Sequence, residues 1–125
     1  MTTVTLNPNA TKQRALTAGI WTLQMASAAL FLFSGTLKLS GTPMMVQMFG
    51  AIGLGQWFRY FTGGLEVISA VLLLVPSLAR FGALALAVTM VGAILTHLFI
   101  IGGNPAVPIA LLAATTTVAW VRSRD

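Results

Sequence analysis

The scarcity of charge is the feature that most restricts what this chain can fold into. Seven Lys or Arg and two Asp or Glu are its only charged residues among 125, and 57% of the residues are hydrophobic. In a soluble domain about a quarter of the residues are charged. Folded in water, this chain would expose a large apolar surface, which soluble proteins tolerate poorly. We therefore expect a single-domain integral membrane protein.

Long apolar runs divide the chain into four predicted transmembrane helices. Each run approaches the roughly twenty residues needed to cross a bilayer. Pro76 breaks the second run and Gly102-Gly103 ends the third. The predicted fold is therefore all-α, a polytopic four-helix membrane bundle. We expect a polar tail over 1–11, then one domain over 12–125 with spans at about 15–37, 57–75, 79–101 and 105–121.

A short additional helix is predicted between the first two spans. Thr42-Pro43 has the form of an N-cap followed by a proline in the first helical position. The apolar segment that follows predicts a helix over 43–49, packed through Met45, Met48 and Phe49 and lying across the outer end of the bundle.

The basic residues predict the orientation. With four spans both termini lie on one side, and that side carries Lys12, Arg14, Arg80, Arg122 and Arg124. The other side has only Lys38 and Arg59. Because cytoplasmic loops carry the excess of Lys and Arg, we expect both termini in the cytoplasm of a multi-pass cell-membrane protein, in bacteria the inner membrane.

Four ionisable side chains are predicted in the outer half of the bundle. Glu66 is the only acid before Asp125, and a lone carboxylate inside a span needs a partner, a proton or water. Arg59 lies seven residues earlier on nearly the same helical face. With Lys38 and His97 they would line one polar pocket, able to exchange protons or bind a small ligand. The alternatives are a structural ion pair, a snorkelling lysine and a histidine bonded to a backbone carbonyl.

Polar and small residues accompany this cluster. Ser34 and Gln24 lie near the face of Lys38 on the first helix, as candidate ligand contacts or as interhelical hydrogen-bonding groups. Gly35, Gly63 and Gly64 leave room for close helix contact, as small residues do in membrane bundles.

Several chemistries are excluded by composition. The chain has no cysteine and a single histidine, which rules out disulfides, thiolate chemistry and a bis-histidine haem within one chain. We expect no metal site, no intrinsic cofactor and no nucleic-acid partner, since the basic residues sit at span ends.

Three segments carry a resemblance to a known family. The stretch from Ser34 to Leu39 and the stretch from Gly63 to Ala70 resemble the DoxX-like small membrane proteins, as does the segment from Thr89 to His97. The similarity covers residues 16–122. It implies a four-helix membrane bundle and a site carried by Lys38, Gly35, Gly64 and Glu66.

The resemblance also implies the range of activities to consider. Some members of the family are linked to quinol oxidation, thiosulfate oxidation or membrane redox complexes, and others look like assembly factors. We expect an accessory or quinone-linked redox subunit, with a bound quinone or lipid-like ligand and a homo-oligomer or redox protein as partner. The alternatives are a non-enzymatic scaffold, assembly factor or small-molecule-binding protein, and a small transporter or channel. Whether the chain is an enzyme is left open.

Overall fold

Helices make up nearly all of the fold. The computed structural model describes residues 8–124, and within that range it contains helices and turns but no strand. The helices are α1 (Pro8–Ser40), α2 (Pro43–Ile52), α3 (Trp57–Leu73), α4 (Ala79–Thr96) and α5 (Ala106–Ser123), with a π-helical turn, π1 (His97–Ile101), continuing α4.

Four of these helices form a closed ring. α1 packs on α3, α3 on α4, α4 on α5, and α5 returns to α1. The fully buried side chains Phe31, Leu73, Leu86 and Val118 come one from each helix and fill the centre. The outward faces are apolar, with Phe33, Ile68, Val88 and Trp120 each more than 60% exposed. The ring therefore has an apolar centre and an apolar outer surface, as expected for a bundle in lipid, and a few polar side chains such as Gln24 and Glu66 are buried between the helices.

Three helical segments are long and apolar enough to cross a membrane: Pro8–Ser40, Ala79–Ile101 and Ala106–Ser123. α3, with 17 residues, is shorter than these. The predicted boundaries agree with the helices to within a few residues, except at the N-terminus. There the helix begins at Pro8, so the predicted tail was wrong for residues 8–11, while residues 1–7 lie outside the described range. A proline fits the first helical position because its missing N–H would have no partner there.

α2 lies across one end of the ring, as predicted. It contacts α3, π1 and α1, and it begins at Pro43 after Thr42 in the N-cap position. Phe49 is buried and Met45 and Met48 are half-buried, so the predicted packing face is confirmed. Gly53 ends the helix with a left-handed φ of 86°, which glycine adopts at low cost.

Candidate functional site

An ion pair between α1 and α3 is the central feature of the candidate site. Lys38 Nζ lies 3.1 Å from Glu66 Oε1 and 3.3 Å from Oε2, and it donates to Ser34 Oγ at 2.7 Å. The Glu66 side chain is 2% exposed and that of Lys38 is 12% exposed. Glu66 thus has the charged partner that a buried carboxylate requires.

Close approach of two helix backbones brings this ion pair together. A Cβ atom added to Gly35 would lie 2.8 Å from the Gly63 carbonyl oxygen, and one added to Gly63 would lie 3.0 Å from the Gly35 carbonyl oxygen. The predicted role of Gly35 and Gly63 in close packing is therefore confirmed. Gly64 is different, because a Cβ there would meet no atom within 4 Å. The prediction that Gly64 serves close contact was wrong, since it lies on another face of α3.

Arg59 is buried but does not pair with Glu66. Its Nε donates to Gln56 Oε1 at 2.8 Å, its guanidinium donates to the Lys38 carbonyl oxygen, and it stacks on the Tyr60 ring. The guanidinium therefore caps the C-terminus of α1, where carbonyl groups lack helical partners and cations are favoured. Although Arg59 lies on nearly the same face of α3 as Glu66, its interactions are at the helix end, so the prediction of a shared pocket is corrected for this residue.

His97 is the first residue of π1. Its Nδ1 lies 2.8 Å from the Ala93 carbonyl oxygen, and the ring is half-buried. Because a carbonyl oxygen only accepts hydrogen bonds, we assign the proton to Nδ1, which leaves Nε2 as an acceptor in the neutral ring. The carbonyl contact expected of a structural histidine is present, and the same residue lines the cavity described next.

A cavity of about 620 Å³ contains both groups. Lys38, Glu66, Ser34 and His97 contribute its main polar atoms, and α2 closes one side with Met45, Met48 and Phe49. The remaining lining is mostly apolar and aromatic. An apolar cavity with a few converging polar groups is the usual form of a small-molecule site.

Gln24 lies elsewhere. Its side chain is fully buried, its Nε2 donates to the Leu73 carbonyl oxygen at 2.8 Å, and its Oε1 accepts from Arg122 Nε at 2.6 Å. Fourteen residues separate Gln24 from Lys38 on α1, a rise of about 21 Å. The prediction that Gln24 contacts the same ligand was wrong, because a shared helical face does not imply a shared depth; its interhelical hydrogen bonds match the stated alternative.

Two further features of the cavity were not predicted from the sequence. Thr89 lines it from α4, and the spacing Thr89, Ala93 and His97 is the i, i+4, i+8 spacing of one helical face. The π-helical geometry of π1 was also missed, because hydrophobic periodicity does not distinguish one π turn from α-helix. Such turns are frequent at functional sites.

No cluster suited to a metal ion occurs among residues 8–124: no three His, Cys, Asp or Glu side chains lie together there. The groups available at the site are one ammonium, one carboxylate, one imidazole and several hydroxyls. They can donate, accept and exchange protons, and the apolar walls can exclude water.

Comparisons with known proteins agree with this picture. Residues 22–120 match the model of the DoxX-like family. The chain is also 31% identical, over 78 residues, to a protein of Bacillus subtilis (strain 168) named "Putative oxidoreductase CatD". That match covers 62% of this chain and 58% of the relative, so the chain spans little more than half of the relative's length. No solved structure matches the chain.

Proposed function

The chain belongs to the DoxX-like family of membrane proteins, and we propose that it is a quinone-linked accessory subunit of a membrane redox system. The observation that carries the proposal is the apolar cavity of about 620 Å³ with the Lys38–Glu66 ion pair and His97 on its walls. The Bacillus subtilis relative carries the name "Putative oxidoreductase CatD", which supports the same class of function.

The proposal includes a topology in which α3 is a fourth membrane crossing. Its 17 residues are at the lower limit for a span, and its outward residues Ile68 and Val71 are exposed and apolar. With four crossings the positive-inside rule puts both termini and the turn between α3 and α4 in the cytoplasm. The cavity and α2 then belong to the outer half of the membrane.

Cysteine labelling tests this topology. Ser40 and Ser77 are both exposed and lie at opposite ends of the bundle. In intact cells, a Ser40→Cys variant should react with a membrane-impermeant maleimide, and a Ser77→Cys variant should react only after the membrane is opened. Since the chain has no cysteine of its own, each signal reports one position. The reverse pattern would contradict the orientation.

Hydrogen-bond capacity at Lys38 suits the carbonyl oxygens of a quinone. An ammonium carries three N–H donors. One is used by Ser34, and one can be shared between the two oxygens of Glu66. The third then remains for an oxygen atom of a ligand, while the ring of the ligand packs against apolar walls that include Phe31 and Phe61.

Glu66 and His97 are the groups placed to exchange protons. A bound quinone would supply two-electron redox chemistry, which these side chains do not provide. Glu66 can take up or release a proton beside Lys38, and a neutral His97 can accept one at Nε2. Electrons would come from or pass to a partner redox protein, which is why we propose an accessory subunit, alone or as a homo-oligomer.

Two glycines allow the binding step to be tested without touching the ion pair. A Cβ atom at either Gly92 or Gly64 would meet no atom within 4 Å, but only Gly92 lines the cavity. A decyl-substituted benzoquinone at 100 times its dissociation constant should stabilise the wild type by about 2.7 kcal/mol. In thermal unfolding in detergent, Gly92→Phe should lose this stabilisation and Gly64→Phe should keep it.

Equal stabilisation of both variants would contradict binding in the cavity. No stabilisation of the wild type would favour the alternative function, a non-enzymatic scaffold or assembly factor. That alternative has its own support, because both oxygens of Glu66 lie within hydrogen-bonding distance of Lys38, so the two charges compensate each other without a ligand.

A further inference from the structure

A second cavity lies at the opposite end of the bundle, in a groove between α1 and α5. Its volume is also about 620 Å³. α1 packs much more extensively on α3 than on α5, which leaves this groove open. Leu16, Ile20 and Leu23 form an apolar strip along it, and Arg122 and Arg124 stand at its polar end.

Arg122 is held in place at this groove by a hydrogen bond to a buried side chain. Its Nε donates to Gln24 Oε1 at 2.6 Å, and Gln24 is itself fixed by donating to the Leu73 carbonyl oxygen. The guanidinium carbon lies 5.0 Å from the centroid of the Trp21 ring. An arginine that is already ordered loses less conformational entropy when it binds an anion.

Basic side chains predominate at this end of the molecule: among residues 8–124 every charged side chain here is basic, and Asp125 is the one acid that follows in the sequence. Lys12, Arg14, Arg80, Arg122 and Arg124 lie here, while Glu66, the single carboxylate among residues 8–124, is bonded to Lys38 in the first cavity. An apolar strip leading to two guanidinium groups complements a molecule with an acyl chain and an anionic head.

We propose that the α1–α5 groove binds an anionic phospholipid from the leaflet on the side of the termini. Its phosphate would bind Arg122 and Arg124, because guanidinium groups match phosphate oxygens in geometry and charge. One acyl chain would lie over Leu16, Ile20 and Leu23. Basic pockets between transmembrane helices bind anionic headgroups in this manner.

Native mass spectrometry of the detergent-solubilised protein tests the proposal. Dioleoylphosphatidylglycerol should bind at least tenfold more tightly than dioleoylphosphatidylcholine. Arg124→Gln removes an exposed guanidinium and should weaken phosphatidylglycerol binding about fivefold, the effect of one basic residue near a membrane surface. Arg80→Gln is the matched control, since it removes the same charge at the same end of the bundle but outside the groove. It should leave binding unchanged.

Three results would overturn the proposal. One is equal binding of the two lipids, and another is equal weakening by Arg80→Gln and Arg124→Gln, which would mean diffuse attraction without a groove site. The third is displacement of phosphatidylglycerol by millimolar inorganic phosphate, which would mean a general anion site. Arg122→Gln serves as a second variant and should weaken phosphatidylglycerol binding more than Arg124→Gln does. Its binding of phosphatidylcholine, compared with that of the wild type, controls for any change in folding.

Discussion

The Glu66→Ala variant is expected to lose about 3–5 kcal/mol of unfolding free energy, because it leaves Lys38 without its buried partner. Glu66 is almost completely buried, and within residues 8–124 its carboxylate is the only acidic group bonded to Lys38. Reversible unfolding of the purified protein in mixed micelles, followed by circular dichroism, measures the loss. Wild-type stability in this variant would contradict the ion pair.

Two companion variants separate a structural ion pair from a functional one. Glu66→Gln retains the shape and part of the hydrogen bonding but cannot exchange a proton. If the proposed function holds, it should fold and lose redox activity linked to the quinone. The double variant Lys38→Met/Glu66→Leu should regain much of the stability lost by Glu66→Ala, since apolar replacements of buried ion pairs are often neutral or stabilising. It should nevertheless fail to respond to quinone. A stable double variant with full partner function would favour the scaffold.

The Gly35→Ala variant is also expected to lose stability. Its added methyl group would lie 2.8 Å from the Gly63 carbonyl oxygen and 2.7 Å from Val67 Cγ2, so the backbones of α1 and α3 would have to separate. Overpacking of this kind costs about 1–3 kcal/mol and sometimes more. The same unfolding measurement gives the value.

Gly64→Ala is the matched control for Gly35→Ala. It lies on α3 beside Gly63, but its added methyl group would meet no atom within 4 Å. Removing a glycine from a helix interior is worth up to about 1 kcal/mol, so Gly64→Ala should be neutral or slightly stabilising. Equal losses in the two variants would mean that α1 and α3 do not approach as closely as described.

The sequence was sufficient to predict elements with strong local signals. Thr42-Pro43 marked the start of α2, and its apolar spacing predicted the packing face of Met45, Met48 and Phe49, although the helix runs to Ile52 rather than to residue 49. The contact between Lys38 and Glu66 was expected because the predicted topology puts both residues in the same half of the bundle, where an unpaired charge is costly. Their functional role stays a prediction.

Other features could not be predicted because they depend on which group a side chain reaches. Arg59 and Gln24 were correctly expected to share faces with site residues, but Arg59 reaches the carbonyl end of α1 and Gln24 reaches Arg122, 98 positions away in the chain. Gly63 and Gly64 are adjacent in sequence, and only the rotation of α3 decides which of them meets α1. Helical periodicity predicts which face of a helix a residue occupies to within about one position. It does not predict which group that residue contacts.

Photolabelling with an azido-benzoquinone tests the central claim most directly, because it reports where a quinone binds. In membranes containing the wild-type protein, peptide mapping should place the label on cavity-lining segments, at Met45 and Met48 of α2 or near His97. Excess unlabelled quinone should suppress this label, and Gly92→Phe should abolish it. A label spread over lipid-facing residues such as Phe33 and Trp120, insensitive to competitor and to Gly92→Phe, would contradict a quinone site in the bundle.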